Sequence, residues 1–169
     1  MRYPGSDWRP IDCNFTRGEN TPRLLIVHIM QGTLAGTDSW FRQDAASASS
    51  HFGVGPGGER YQWVDTDDKA WHAMAANSHA IGVECEGYSG HPLTVHQVKA
   101  VAKIYAWANS EYPAISMWLN KNPVTGSGLS WHGLGGDAWG GHTSCPGSPI
   151  VKQLPAILDM ATDLRRAMR

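Results

Sequence analysis

RLLIVHI, residues 23–29, is a continuous run of branched apolar residues broken only by one imidazole. A run without polar alternation is the pattern of a central strand buried on both faces, the kind found in sheets covered by helices. The imidazole is His28. Taken alone, a histidine inside such a strand is more often a satisfied core group than a ligand. Residues 31–36 (QGTLAG) break the strand, and Thr37 or Asp38 is then placed to cap a helix over 39–47.

The rest of the chain supplies partners for that strand. Residues 51–55 and 60–65 are short β-type runs on either side of Pro56-Gly57-Gly58-Glu59, which predicts a hairpin. Residues 80–87 (AIGVECEG) read as a second buried strand. Over 94–111, Val98, Val101, Ile104 and Tyr105 recur at helical spacing, Thr94 with Gln97 makes a capping box, and Pro113 closes the element. Residues 120–148 are rich in glycine and predict a long irregular loop, a feature that is usually functional in a small domain. A last helix is predicted over 149–169 from Ile150, Leu154, Ile157, Leu158, Ala161 and Leu164, with Pro155 kinking or restarting it. Residues 1–22 carry Pro4, Pro10, Pro22, Gly5 and Gly18 without helical period, and read as an N-terminal arm to a domain at 23–169. The order of elements predicts a single α/β (α+β) domain with a central mixed β-sheet flanked by helices.

Composition removes several function classes. The 169 residues carry a net charge of −1, with no block of Lys and Arg to track phosphates, so no nucleic-acid partner is expected. The longest apolar run, residues 24–30, is far too short to span a bilayer, and no membrane insertion is expected. The first residues, MRYPGSDWRPID, lack the apolar core of an export signal. Three cysteines, Cys13, Cys85 and Cys145, are not a disulfide framework; a metal-binding role for one thiol is the more natural reading.

Residues 131–147 (WHGLGGDAWGGHTSCPG) bring His132, His142 and Cys145 into one flexible segment. Imidazole and thiolate are donors that zinc favours, and three protein ligands with one open position define a catalytic zinc site. His28 with His132 and Cys145 would supply three. The long span from His132 to Cys145 leaves His142 as a rival ligand, or as a fourth that would close the site and make it structural. The bland alternative, a glycine-rich surface loop with incidental histidines, must explain several soft donors in one segment.

Four segments in order carry a resemblance: 24–33 (LLIVHIMQGT), 49–73 (SSHFGVGPGGERYQWVDTDDKAWHA), 81–87 (IGVECEG) and 132–147 (HGLGGDAWGGHTSCPG). Together they resemble the zinc-dependent N-acetylmuramoyl-L-alanine amidases, the family that includes phage lysozyme-like amidases and peptidoglycan recognition proteins. The resemblance implies one Zn2+ per chain on His28, His132 and Cys145, with Glu84 at the catalytic acidic position. It implies that His72, Ser50 and Trp71 contact substrate. Ser50 stands where some members have Tyr, and Thr143 stands at a catalytic position where others have Lys. Trp40 and Trp139 are further candidates for stacking on sugar rings. The implied activity is hydrolysis of the amide bond between N-acetylmuramic acid and L-alanine in peptidoglycan, by a monomer acting on the cell wall as a phage endolysin or a secreted bacterial amidase. The alternative is a non-catalytic peptidoglycan-binding module of the same fold. His51 and His79 read as structural, His91 and His96 as solvent-facing, and Cys85 as a buried apolar group opposite Glu84.

Overall fold

All six residues of Leu24–Ile29 are buried, and they form the strand with neighbours on both sides that an unbroken apolar run demands. The computed structural model describes residues 1–168. In chain order its strands are β1 (Asp7–Trp8), β2 (Phe15–Thr16), β3 (Leu24–Ile29), β4 (Phe52–Val54), β5 (Arg60–Gln62), β6 (Lys69–Ala70), β7 (Ala80–Cys85) and β8 (Gly128–Trp131). Its α-helices are α1 (Leu34–Phe41), α2 (Val95–Glu111), α3 (Ser148–Val151) and α4 (Leu154–Ala167). Six strands make one mixed sheet in the order β1-β5-β4-β7-β3-β8, and β2 pairs with β6 separately. Strands β4, β7, β3 and β8 run parallel, and β5 returns antiparallel through the predicted hairpin.

The two faces of this sheet have different jobs. Leu25, Val27 and Ile29 alternate onto one face, where Ile81, Val83 and Cys85 join them under Val101, Ile104 and Tyr105 of α2 and Ile157 and Ala161 of α4. On the other face Leu24, Ile26 and Ala80 pack against Ala73, Ala76 and Trp139. That second face ends at the C-terminal edge of the parallel strands, where its next residues are His28 and Glu84. Helix α2 begins at the expected cap: Gln97 N–H donates to Thr94 Oγ1 (3.1 Å), and Thr94 N–H donates to Gln97 Oε1 (2.9 Å).

Several sequence expectations are corrected. The first helix starts at Leu34, not Ser39, because Thr33 is the cap and accepts from Gly36 N–H; a short 3-10 turn, Asp44–Ala46, follows separately. Asp38 caps nothing. It is buried inside the helix and accepts from Arg9, Arg42 and Trp63. The 120–148 segment is not wholly irregular. Gly128–Trp131 is an edge strand on β3, and His132–Trp139 is a 3-10 stretch. Four residues between glycines are too few for alternation to declare a strand. The terminal helix divides into α3 and α4; of the two readings of Pro155 it is the restart that occurs, with the proline in the first turn of the second helix. Residues 1–22 contribute β1 to the sheet edge beside β5, and Tyr3 packs on Phe52 and Trp107.

Asp38 ties the N-terminal segment to α1 and to the buried Trp63 indole, whose N–H it accepts at 2.7 Å. Burial opposes its charge, but the hydrogen bonds from Arg9, Arg42 and Trp63 hold its carboxyl well below the usual carboxylate range. The contribution is therefore full above the unfolded value of about 4 and is lost as pH falls through the lower folded value. Asp38→Asn should cost about 1–3 kcal/mol at neutral pH. In denaturant titrations between about pH 2 and pH 5, the gap from wild type should narrow as acid is added; parallel curves would remove this role.

Candidate metal centre

Three parallel strands deliver the site from their C-terminal ends, the edge at which open α/β sheets place ligands. His28 is the fifth residue of β3, and its register partner on β7 is Glu84. His132 follows directly on β8, and Cys145 returns to it because Gly133 N–H donates to the Cys145 carbonyl at 2.7 Å. A side chain at Gly133 would meet the carbonyls of Thr143 and Cys145 at 2.5 and 2.9 Å, so the closure requires glycine. Among the described residues, His28, His132 and Cys145 form a group able to hold a metal ion, their donor atoms all within 4.8 Å of one another.

The ring atoms that converge are specific. His28 Nδ1 and His132 Nδ1 lie 3.0 Å apart. The far nitrogen of each ring has its own neighbour: His132 Nε2 is 2.8 Å from the Trp139 carbonyl, and His28 Nε2 is 3.0 Å from His72 Nδ1. Glu84 Oε1 is 3.9 Å from His28 Nδ1, while Glu84 Oε2 is buried with no hydrogen-bond partner. An orphaned buried carboxylate oxygen beside two imidazoles and a thiol is a donor set in want of a cation.

Burial governs the electrostatics. It holds His28 well below the ordinary imidazole range, with the neighbouring imidazoles adding to the effect, and it lowers His132 as well. Burial pushes Glu84 up to about 8 and Cys145 up to about 12. Neutral imidazoles keep a lone pair for a metal. The acidic groups need a nearby positive charge before they ionise at neutral pH.

A cleft of about 380 Å³ opens over these groups. His28, Glu84, His132 and Cys145 line it together with His72, Trp71 and Trp139. Ser50 does not line it. It is fully buried behind the wall, near Gly82 and His72, and its hydroxyl has no partner. Thr143 does not line it either: this exposed residue borders the neighbouring groove with Trp131 and Lys152, and Ser144 takes the place in the cleft. His142 lines the cleft with its ring 5.0 Å from that of His132, but stands outside the converging group. Trp40 is exposed on α1, away from the cleft lining. His51 is structural, accepting from Gly82 N–H at Nδ1 (3.0 Å). His91 and His96 are exposed, and Cys85 is buried in the main core. Glu86 accepts from Leu34 N–H at 2.7 Å and so serves the start of α1.

Sequence reasoning missed Met74 and Asn77. Met74 is exposed at the cleft in a left-handed conformation (φ 43°). Asn77 Oδ1 accepts from the backbone N–H groups of His72 (2.9 Å) and Ala73 (2.6 Å) and shapes the turn that carries His72. No periodicity announces either residue; the only cue is a polar amide shortly after the Ala-Trp-His-Ala run, the sort that folds back on its own backbone.

Comparison with known proteins agrees with this geometry. Residues 18–148 match the N-acetylmuramoyl-L-alanine amidase family. N-acetylmuramoyl-L-alanine amidase A of Achromobacter lyticus is 34% identical over 82 residues, a match covering 47% of this chain and 46% of that protein, so the matched stretch spans about half the length of the curated relative. The hydrolase AmiA of Staphylococcus aureus shares the fold with a TM-score of 0.73 at 15% identity, over 98% of this chain and 85% of that one. The amidase LysC of Clostridium intestinale does so with a TM-score of 0.67 at 17% identity, over 90% and 97%. No helix among the described residues is long and apolar enough to cross a membrane. The mixed sheet, the flanking helices and the family match agree: the chain belongs to the N-acetylmuramoyl-L-alanine amidase family.

Proposed function

We propose that this chain hydrolyses the amide bond between N-acetylmuramic acid and L-alanine in bacterial peptidoglycan, as a monomer, with one zinc ion held by His28, His132 and Cys145. The observation that carries the proposal is the convergence of two imidazole Nδ1 atoms and one thiol beside a buried, partly unpartnered carboxylate at the floor of an open cleft. Two neutral imidazoles and one thiolate suit zinc and leave room for a further ligand. When bound, zinc supplies a Lewis acid that polarises the amide carbonyl and makes a nearby water acidic.

The protein groups do the rest. Glu84 takes a proton from the attacking water and returns it to the leaving amine, the role its depth in the cleft and its free Oε2 favour. Trp71, partly exposed, gives the cleft an apolar wall suited to a sugar ring, while Trp139 is buried in the core behind it. Thr143, out on the rim, is assigned no proton transfer, and Ser50 supports the wall from behind. A module that only binds its ligand has no use for a buried carboxylate beside a set of metal donors, and this favours hydrolysis over the binding-module reading. The site of action is the cell wall, and release by a phage or secretion by a bacterium would both serve it.

The test is incubation with purified peptidoglycan, scored by new amino-terminal alanine and free muramic lactyl groups. Release should be abolished by a chelator and restored by zinc. Glu84→Gln should keep zinc and fold while losing about 10²–10⁴ in turnover; unchanged turnover would remove Glu84 from the reaction. Cys145→Ser should lose zinc in a chelator titration at far lower chelator than wild type, since a neutral hydroxyl is a poor donor. Full retention would sink the ligand assignment. His142→Ala should keep both zinc and activity; loss of the metal in that variant would make His142 a fourth ligand.

A further inference from the structure

His72 was expected from sequence to meet substrate, but its nearest polar neighbour is a metal ligand. Its Nδ1 lies 3.0 Å from His28 Nε2, with the two rings edge to face at 80° and their centroids 5.0 Å apart. A ring nitrogen binds a metal through its lone pair, so ligation through His28 Nδ1 requires the proton on Nε2. That Nε2–H then needs an acceptor, and His72 Nδ1 is the one within reach. The matching requirement at His132 is met by a carbonyl, Trp139 O, which can only accept. The two ligand rings are thus braced in the same way by different chemistry.

We propose that His72 is the positioning residue of the metal centre, accepting the Nε2–H of His28 so that His28 Nδ1 stays bare toward His132 and Cys145. The inference rests on the zinc reading above. His72 then carries its own proton on Nε2, a buried atom with no hydrogen-bond partner. The ring is held for the task. Asn77 fixes its backbone. Gly82 of β7 makes room for it, since a Cβ at that position would stand 2.8 Å from His72 Cγ and 2.7 Å from Ser50 Oγ. A residue built to grip substrate has no need of a bare strand position behind it. A ring that must reach across β7 to β3 does.

The test compares zinc affinity, by chelator competition, in wild type, His72→Ala and His72→Asn, with folding checked by circular dichroism. Asn places a carbonyl oxygen close to where Nδ1 stands. His72→Ala should weaken zinc binding by about 10–100-fold, the usual effect of removing a partner of a ligand histidine, and His72→Asn should recover most of it. Wild-type affinity in the alanine variant would overturn the proposal. Equal weakness in both variants would also overturn it, by making His72 a packing residue. In zinc-loaded wild type, nitrogen NMR of the imidazoles should find the His72 proton on Nε2, and a proton on Nδ1 would overturn the proposal whether or not the variants fold. A wild-type protein that binds no zinc would overturn the metal reading as well, which separates the two failures.

Discussion

The parallel pairing of β3 with β7 is the constraint from which the site follows. It sets His28 opposite Glu84 on the one face of the sheet that is not closed by α2 and α4. Side chains alternate along a strand, so a slip of one residue would exchange the faces. Glu84 would then enter the apolar core, where an unpaired carboxylate costs several kcal/mol. Cys85 would come out of that core in exchange. Apolar side chains on both faces of β3 and β7 make any such slip expensive, and the register of two chemically active residues is held by residues with no chemistry of their own.

The same burial shapes the charges. An imidazole pair, a thiol and a carboxyl in a dry corner each shift toward the neutral form. None of these shifts helps the others, because no lysine or arginine among the described residues lines the cleft. A divalent cation reverses this balance at once, drawing the thiol and carboxyl toward their charged forms. The cleft stores an electrostatic demand that a bound metal would satisfy, in place of a lysine or arginine that would satisfy it permanently.

Much of this was legible in the residues. An apolar run with one imidazole announced the central strand, and the Thr94–Gln97 capping box announced α2 to within a residue. The convergence of His28 with His132 and Cys145 was legible because soft donors are rare and two of these three share one glycine-rich segment. What failed to show was anything decided by tertiary contact. Thr33 prevailed over Thr37 as a cap because the chain leaves β3 through a left-handed Gln31 and turns early. β8 escaped notice because four residues carry too little pattern. Ser50 and Thr143 are adjacent in sequence to residues that line the cleft, yet one lies behind the cleft wall and the other on its rim. Proximity along a chain does not tell which side of the backbone a group will take.

The bond from Gly133 N–H to the Cys145 carbonyl has a consequence for variation. It pins the two ends of the segment that bears His132 and Cys145, and leaves the Gly140–Gly141 turn beyond the 3-10 stretch outside the anchorage. The thiol's location is thereby decoupled from the length of the excursion between the anchors. Insertions or deletions at that turn would reshape the rim of the cleft, His142 included, while the Trp139 carbonyl and the Gly133–Cys145 bond keep the donors beneath it in place. The shape of the rim can drift in such a scaffold while the floor of the cleft stays put.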